Sequence, residues 1–259
     1  MAQRAGPLKQ MGLARRFKKE AETAIQLDPR QIDARFALML FHLKAPGIVG
    51  GDKKKASVMA DEIVALDPVE GNIAKARLTL ERHDTTGAEA FYRKAVEANP
   101  ASYQAHVALA NYCALEAVHK WDVAEKHAVE ARKIDPRRAG SYTLLASVYA
   151  NQDRLSDLDA VLAEADTHAP DNRTPHYQAG RILLVRGKEL DRAERCFRRY
   201  LEAEPEGNSP RHAHARWRLA QVLEKRGHKP EAIAELETAL RLMPELQEAK
   251  KDLKRLKRT

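Results

Sequence analysis

Residues 216–244 read "RWRLAQVLEKRGHKPEAIAELETALRLMP". Two amphipathic runs flank a turn at Gly227, and Pro244, which cannot continue a helix, closes the second run. The closing proline recurs along the chain, as Pro29, Pro68, Pro100, Pro136, Pro170, Pro205 and Pro244, at intervals of 39, 32, 36, 34, 35 and 39. Twelve places before each proline stand Phe17, Ala56, Ala88, Ala124, Leu158, Ala193 and Ala232. Five places before stand Ala24, Ile63, Ala95, Ala131, Ala165, Tyr200 and Ala239. With 43 alanines in 259 residues, chance would put about one in each column, so a period near 36 is real. Each period describes a helix, a turn, and a second helix that crosses the first through small residues. Such a hairpin cannot bury its own apolar face and has to stack on its neighbours.

Composition agrees with an all-α chain. Hydrophobic residues make up 44%, charged residues 32% and aromatics only 5%, the balance of helices that pack closely through small side chains. No apolar run reaches the ~18–20 residues that span a bilayer, and "MAQRAGPLKQ" lacks the apolar stretch of a secretory signal. The expectations are no membrane insertion and the cytoplasm by default; a chain whose signal had been cleaved, placed outside the cytoplasm, would read the same. The net charge of +8 sits at the ends. Residues 1–20 hold six Lys/Arg against Glu20, residues 244–259 six against Glu245, Glu248 and Asp252, and the middle is neutral. A duplex-binding surface gathers its basic residues where phosphates lie, so this distribution argues against nucleic acid.

The pattern resembles the tetratricopeptide repeat (TPR), bacterial members included, over about residues 13–245. "SYTLLASVYA" offers Tyr142, Leu145, Ala146 and Tyr149 at the family's first-helix positions, followed by Ala165 and Pro170. The opening stretch fits through Leu219, Ala220, Gly227, Ala232, Leu236, Ala239 and Pro244, and "AEAFYRKAVEANP" through Ala88, Tyr92, Ala95 and Pro100. Phe17, Ile63, Leu158 and Tyr200 at small positions depart from the pattern, as does Trp217, one place from the expected aromatic. The resemblance implies a right-handed α-solenoid of stacked antiparallel helix hairpins. The expected organisation is a partial first repeat at 1–29 and six repeats at 30–68, 69–100, 101–136, 137–170, 171–205 and 206–244. A C-terminal capping helix at 245–259 follows, with Leu246, Ala249, Leu253 and Leu256 on one stripe. Residues 14–28 read as the second helix of a unit whose first helix is missing or reduced to a fragment broken at Gly6-Pro7. Such an uncapped unit would favour weak end-to-end self-association.

"APGIVGGDKKK" at 45–55 looks like a phosphate loop, but Asp52 stands where a second glycine is required, and no Ser or Thr follows a Gly-Lys pair. It reads as an inter-helix turn, with helix-start amides that could hold an anion weakly. "EGNSPRH" at 206–212 reads as a second insertion of the same kind.

Signals of chemistry are absent from the sequence. Cys113 and Cys196 fall two repeats apart, beyond the ~7 Å Cα separation a disulfide allows, and read as packing thiols. Ten histidines include no HExxH, and His212 and His214 diverge on a helix. No cofactor, metal or catalytic site is expected, and the chain reads as a non-enzymatic scaffold.

In the resembled family the first helix of each unit lines a concave groove. Carried over, that face collects Lys75, Gln104 and Asn111, then Thr143, Ser147 and Asn151. Tyr177, Gln178 and Arg181 come next, and last His214, Trp217, Arg218 and Gln221. Tyr, Trp and Arg make frequent binding anchors; Trp217, one place off register, reads equally as core. Asn111 occupies one asparagine position of the carboxylate clamp that some members use on chaperone tails, but Val107 stands where the clamp lysine belongs. The expected function is to hold an extended peptide or a helix of another protein in the groove. The alternatives are a basic adaptor for acidic partners or RNA, and an assembly or tethering module of a longer protein.

Overall fold

The computed structural model describes residues 7–205, 207 and 209–258, which form fourteen α-helices and no strand. Packing divides the chain into two compact units, residues 1–112 and 113–259.

In the first unit α1 (Pro7–Leu27) is followed by α2 (Ile32–Lys44) and α3 (Lys53–Leu66), then α4 (Pro68–Leu80) and α5 (Thr85–Ala98), with α6 (Tyr103–Cys113) at its end. Helix α1 begins at Pro7 rather than at the expected residue 14, because Met11 and Ala14 pack with Ala21 and Ile25 against Leu38, Phe41 and Val49. Those contacts carry the helix through Gly12. Of the expected break at Gly6-Pro7, Gly6 lies outside the described residues. Met39, Leu43, Ala56, Ala60, Ile63, Ala74 and Leu78 form the core between α2, α3 and α4.

The prolines mark a local device. The residue before each of the first four turns its side chain onto the backbone: Asp28 accepts from the Arg30 N–H at 2.9 Å, Asp67 from Val69 at 2.8 Å, Asn99 from Ala101 at 3.0 Å and Asp135 from Arg137 at 3.1 Å. An Asx turn followed by proline stops one helix and starts the next. At Asp67 a single residue caps both, its N–H bonding Ile63 O while its carboxylate caps α4. So short a link forces close approach. A Cβ on Gly71 would lie 2.3 Å from the Val64 backbone, so only glycine fits there.

The second unit runs through α7 (Trp121–Ile134), α8 (Ala139–Asn151), α9 (Leu155–His168), α10 (Thr174–Arg186), α11 (Leu190–Tyr200), α12 (His212–Lys225), α13 (Lys229–Leu242) and α14 (Gln247–Leu256). Consecutive helices pack as antiparallel hairpins. The first helices α8, α10 and α12 also touch side by side, which is the stacking that the repeat demands. From Ala56 onward the alanine columns are buried, and Leu158 and Tyr200 are absorbed in the same layer. Phe17, 43% exposed, departs from its column because α1 presents that face to solvent.

Charged pairs one repeat apart tie the second unit together. Arg154 reaches Glu125 at 2.5 Å, Arg132 reaches Glu164 at 2.6 Å, and Arg192 grips Asp159 with two bonds of 2.9 and 2.8 Å. Arg226 binds Glu194 and Arg255 binds Glu224 in the same way. Cys113 and Cys196 are both buried free thiols, and burial pushes Cys196 up to about 12. It is a packing thiol and not a nucleophile.

Candidate functional site

Ten of the thirteen residues expected to line a groove lie in the second unit, on α8, α10 and α12. On α8, Thr143, Ser147 and Asn151 form a ladder four residues apart. Each side chain donates to the carbonyl one turn back: Thr143 to Ala139 at 2.9 Å, Ser147 to Thr143 at 2.8 Å and Asn151 to Ser147 at 2.8 Å. The hydroxyl donors are therefore committed to the helix, leaving a smooth polar stripe.

On α10, Arg181 Nε donates to Gln178 Oε1 at 3.2 Å. Tyr177 stacks on Phe197 and Tyr200 of α11, with ring centroids 5.7 and 5.2 Å apart, so its ring seals the hairpin and only part of it faces outward. On α12 and α14 a tighter cluster forms. Trp217 Nε1 donates to Asp252 Oδ2 at 2.8 Å, Gln221 Nε2 donates to the same oxygen at 3.2 Å, and Arg218 lies over the indole at 4.1 Å and donates to Gln221 Oε1 at 3.1 Å. Trp217 is half-buried and pinned to α14 by its N–H. His214 is half-buried one turn earlier.

Arg181 and Arg218 share a property that sets them apart from the paired arginines above. Among the described residues each is bonded only to a neutral glutamine, and Arg218 Nε is buried with no hydrogen-bond partner. Two half-buried positive charges therefore stand on successive first helices without a carboxylate. Asp252, which bonds the neighbouring Trp217 and Gln221, has its oxygens taken by them and by Arg255.

In the first unit, Lys75 is paired with Asp61 at 2.8 Å and lies 6.0 Å from the Phe91 ring centre. Gln104 and Asn111 are exposed on α6.

The glycine-rich stretch at 45–52 is folded back onto α1. Gly47–Val49 makes one 3-10 turn, Val49 is buried beside Ala21 and Phe41, and His42 Nδ1 lies 3.0 Å from Gly50 O. A Cβ on Gly51 would sit 1.8 Å from Ala45 O. The start of α3 already holds an anion: Asp52 accepts from Lys54 N at 2.9 Å and Lys55 N at 3.2 Å. The expected weak anion site is corrected on this point, since the chain's own carboxylate fills it. In the second insertion Glu206 and Asn208 lie outside the described residues. Its flanks are held by Thr174 Oγ1 to Ser209 Oγ at 2.9 Å and by His212 Nε2 to Ala203 O at 2.8 Å.

Sequence reasoning missed the arginines of α11. Arg192, Arg195 and Arg199 recur at helical spacing, with Arg198 beside them, and they border a cleft of about 460 Å³ between α9 and α11. The signal was present in "LDRAERCFRRY", but net charge over the neutral middle of the chain hid a local excess. At one end of this cleft Asp166 binds His176 at 2.9 Å and Arg199 at 2.9 Å, and also Arg173. Burial would raise Asp166, but His176 and the two arginines hold it below the usual carboxylate range; burial likewise holds His176 below its ordinary value. Among the described residues no group of three or more His, Cys, Asp or Glu could hold a metal, and no helix is long and apolar enough to cross a membrane.

Hairpins stacked through small residues, with a polar and aromatic face on their first helices, define a helical-repeat protein. Residues 177–246 match the tetratricopeptide repeat family model. Yeast Tom70 is similar, with a TM-score of 0.66 at 18% identity over 96% of this chain and 52% of that one, so this chain spans about half its length. The structure of Pseudomonas aeruginosa pilF gives 0.55 at 15% over 90% and 97%, and a thermophilic TPR protein of Thermus thermophilus gives 0.52 at 20% over 74% and 100%. No curated protein matches the sequence. At these identities the structural likeness speaks for the fold. Residues 177–246 carry the tetratricopeptide repeat, and the fold of the chain is that of TPR solenoids. Proteins of this class are in general non-catalytic scaffolds that bind other proteins.

Proposed function

We propose that the second unit holds an extended peptide or a helix of a partner protein across the first-helix face of α8, α10 and α12. The observation that carries this reading is the pair Arg181 and Arg218, half-buried on successive first helices and bonded only to neutral amides. A buried guanidinium without a carboxylate is poorly satisfied by the protein alone and gains most from an arriving carboxylate or carbonyl. The Thr143–Ser147–Asn151 stripe beside them offers carbonyl and amide edges, and Trp217 a flat apolar wall. Because α14 and Gln221 already fix Trp217 and Arg218, little rotamer freedom would be lost on binding. Lys75, Gln104 and Asn111 belong to the first unit and carry no weight here.

The test is selection of a displayed random-peptide library on the immobilised protein, in parallel with an Arg181→Gln, Arg218→Gln variant of unchanged circular dichroism. Sequences enriched on the wild type and lost on the variant support the face as the site. Equal enrichment on both would place binding elsewhere.

A further inference from the structure

We propose that the cleft between α9 and α11 is a second, separate binding site, which takes a short acidic segment of a partner protein through the α11 arginines. The cleft is built mainly on the second helices α9 and α11, with His176 from the start of α10, and it shares no lining residue with the proposed α8, α10 and α12 face. Its volume of about 460 Å³ is within the range of ligand pockets and suits a few side chains rather than a whole helix.

The charge is unbalanced in a specific way. Four arginines border the cleft against three carboxylates, Asp159, Asp166 and Glu202. Those carboxylates are spoken for. Asp159 is gripped by Arg192 through both oxygens, Asp166 by Arg199, Arg173 and His176, and Glu202 by Arg199. Arg198 is exposed and paired only with Glu194, which it shares with Arg226. Arg195 is exposed and makes no ion pair or hydrogen bond among the described residues. The cleft therefore presents one unpaired guanidinium, Arg195, with the Glu194-bound Arg198 beside it, over a floor of Leu162, Ala163 and Cys196.

That combination selects the occupant. An Asp or Glu side chain can take the Arg195 fork, with the positive charge of Arg198 close by, while a neighbouring apolar side chain covers the floor. A nucleic-acid strand fits worse: its evenly spaced phosphates would meet Asp159, Asp166 and Glu202 and would leave the apolar floor unused.

The test uses the whole chain and a fluorescein-labelled twelve-residue peptide of alternating Glu and Leu, read by anisotropy at 50 and 200 mM salt. The controls are a Lys/Leu peptide, a Glu/Ser peptide and a twelve-nucleotide RNA. Expected is binding of the Glu/Leu peptide that weakens at least about tenfold in an Arg195→Glu, Arg198→Glu variant. The neutral Arg195→Gln, Arg198→Gln variant should also weaken it, and the Arg181→Gln, Arg218→Gln variant should leave it unchanged. Both cleft residues are exposed, so circular dichroism should not change. Four results would overturn the proposal: no binding at millimolar peptide, loss in the Arg181/Arg218 variant in place of the cleft variants, equal binding of the Lys/Leu peptide, or RNA binding more tightly with the same sensitivity to the cleft variants.

Discussion

Replacing Asp252 by alanine should loosen the C-terminal helix and free the tryptophan of the adjacent face. Asp252 Oδ2 accepts from Trp217 Nε1 at 2.8 Å and from Gln221 Nε2 at 3.2 Å, and Oδ1 accepts weakly from Arg255 at 3.4 Å. A hydrogen bond to a charged acceptor contributes about 1.5–3 kcal/mol. Two bonds to one oxygen do not add fully, and the Asp252 side chain, 21% exposed, keeps some hydration, so a loss of about 2 kcal/mol is the working figure. In a stacked array the cost stays local, falling on the undocking of α14 rather than on the whole chain. Two kcal/mol is roughly a 30-fold rise in the population with α14 undocked.

The assay is native-state hydrogen exchange. Amides of Gln247–Leu256 should exchange roughly 30-fold faster, those of α8 and α10 at unchanged rates, and Trp217 emission should shift to the red. An Asp252→Asn variant keeps one acceptor and should fall between. If α14 protection in the alanine variant matches wild type, the carboxylate is not what docks this helix, and the preorganisation argued for Trp217 and Arg218 fails with it.

Gly71→Ala should destabilise the first unit by about 1–3 kcal/mol or more, read as a lower thermal midpoint, because the new Cβ meets backbone at 2.3 Å and the one-residue link at Asp67 cannot shift. Leu236→Ala, at a fully buried position, should cost about 2–5 kcal/mol, whereas Leu242→Ala, at a site 57% exposed, should stay within about 0.5 kcal/mol; equal losses in denaturant melts would contradict the packing described. Acid should weaken the fold in two stages. His42 and His176 have folded-state values lowered by burial, so the unfolded chain takes up their protons first and stability falls as pH drops below about 6.5; Asp166, also lowered, adds a further loss as pH falls below about 4. Urea midpoints from pH 8 to pH 3 check this, and a His176→Gln variant should flatten the first stage.

The repeat was legible in the sequence because what encodes it is local. An Asx residue before a proline makes its turn with its own neighbours, and an alanine at a helix crossing is selected by the next helix in line, so prolines and alanines recorded the period without knowledge of the stack. The residue types of the proposed binding face could be named for the same reason. Their states could not. Asp252 lies 35 residues from Trp217, the Arg192–Asp159 grip spans 33, and the folding of Gly47–Val49 onto α1 depends on where that helix packs. Whether an arginine pairs across repeats is decided by which carboxylate the neighbouring repeat brings within about 3 Å, a distance set by helix stacking and not by spacing along the chain. Sequence alone determined a stack of helix hairpins with small residues at the crossings and arginines spread along them. Only the tertiary structure decided that Arg181, Arg218 and Arg195 are among the arginines left without a carboxylate partner, because pairing across repeats is a property of packed helices.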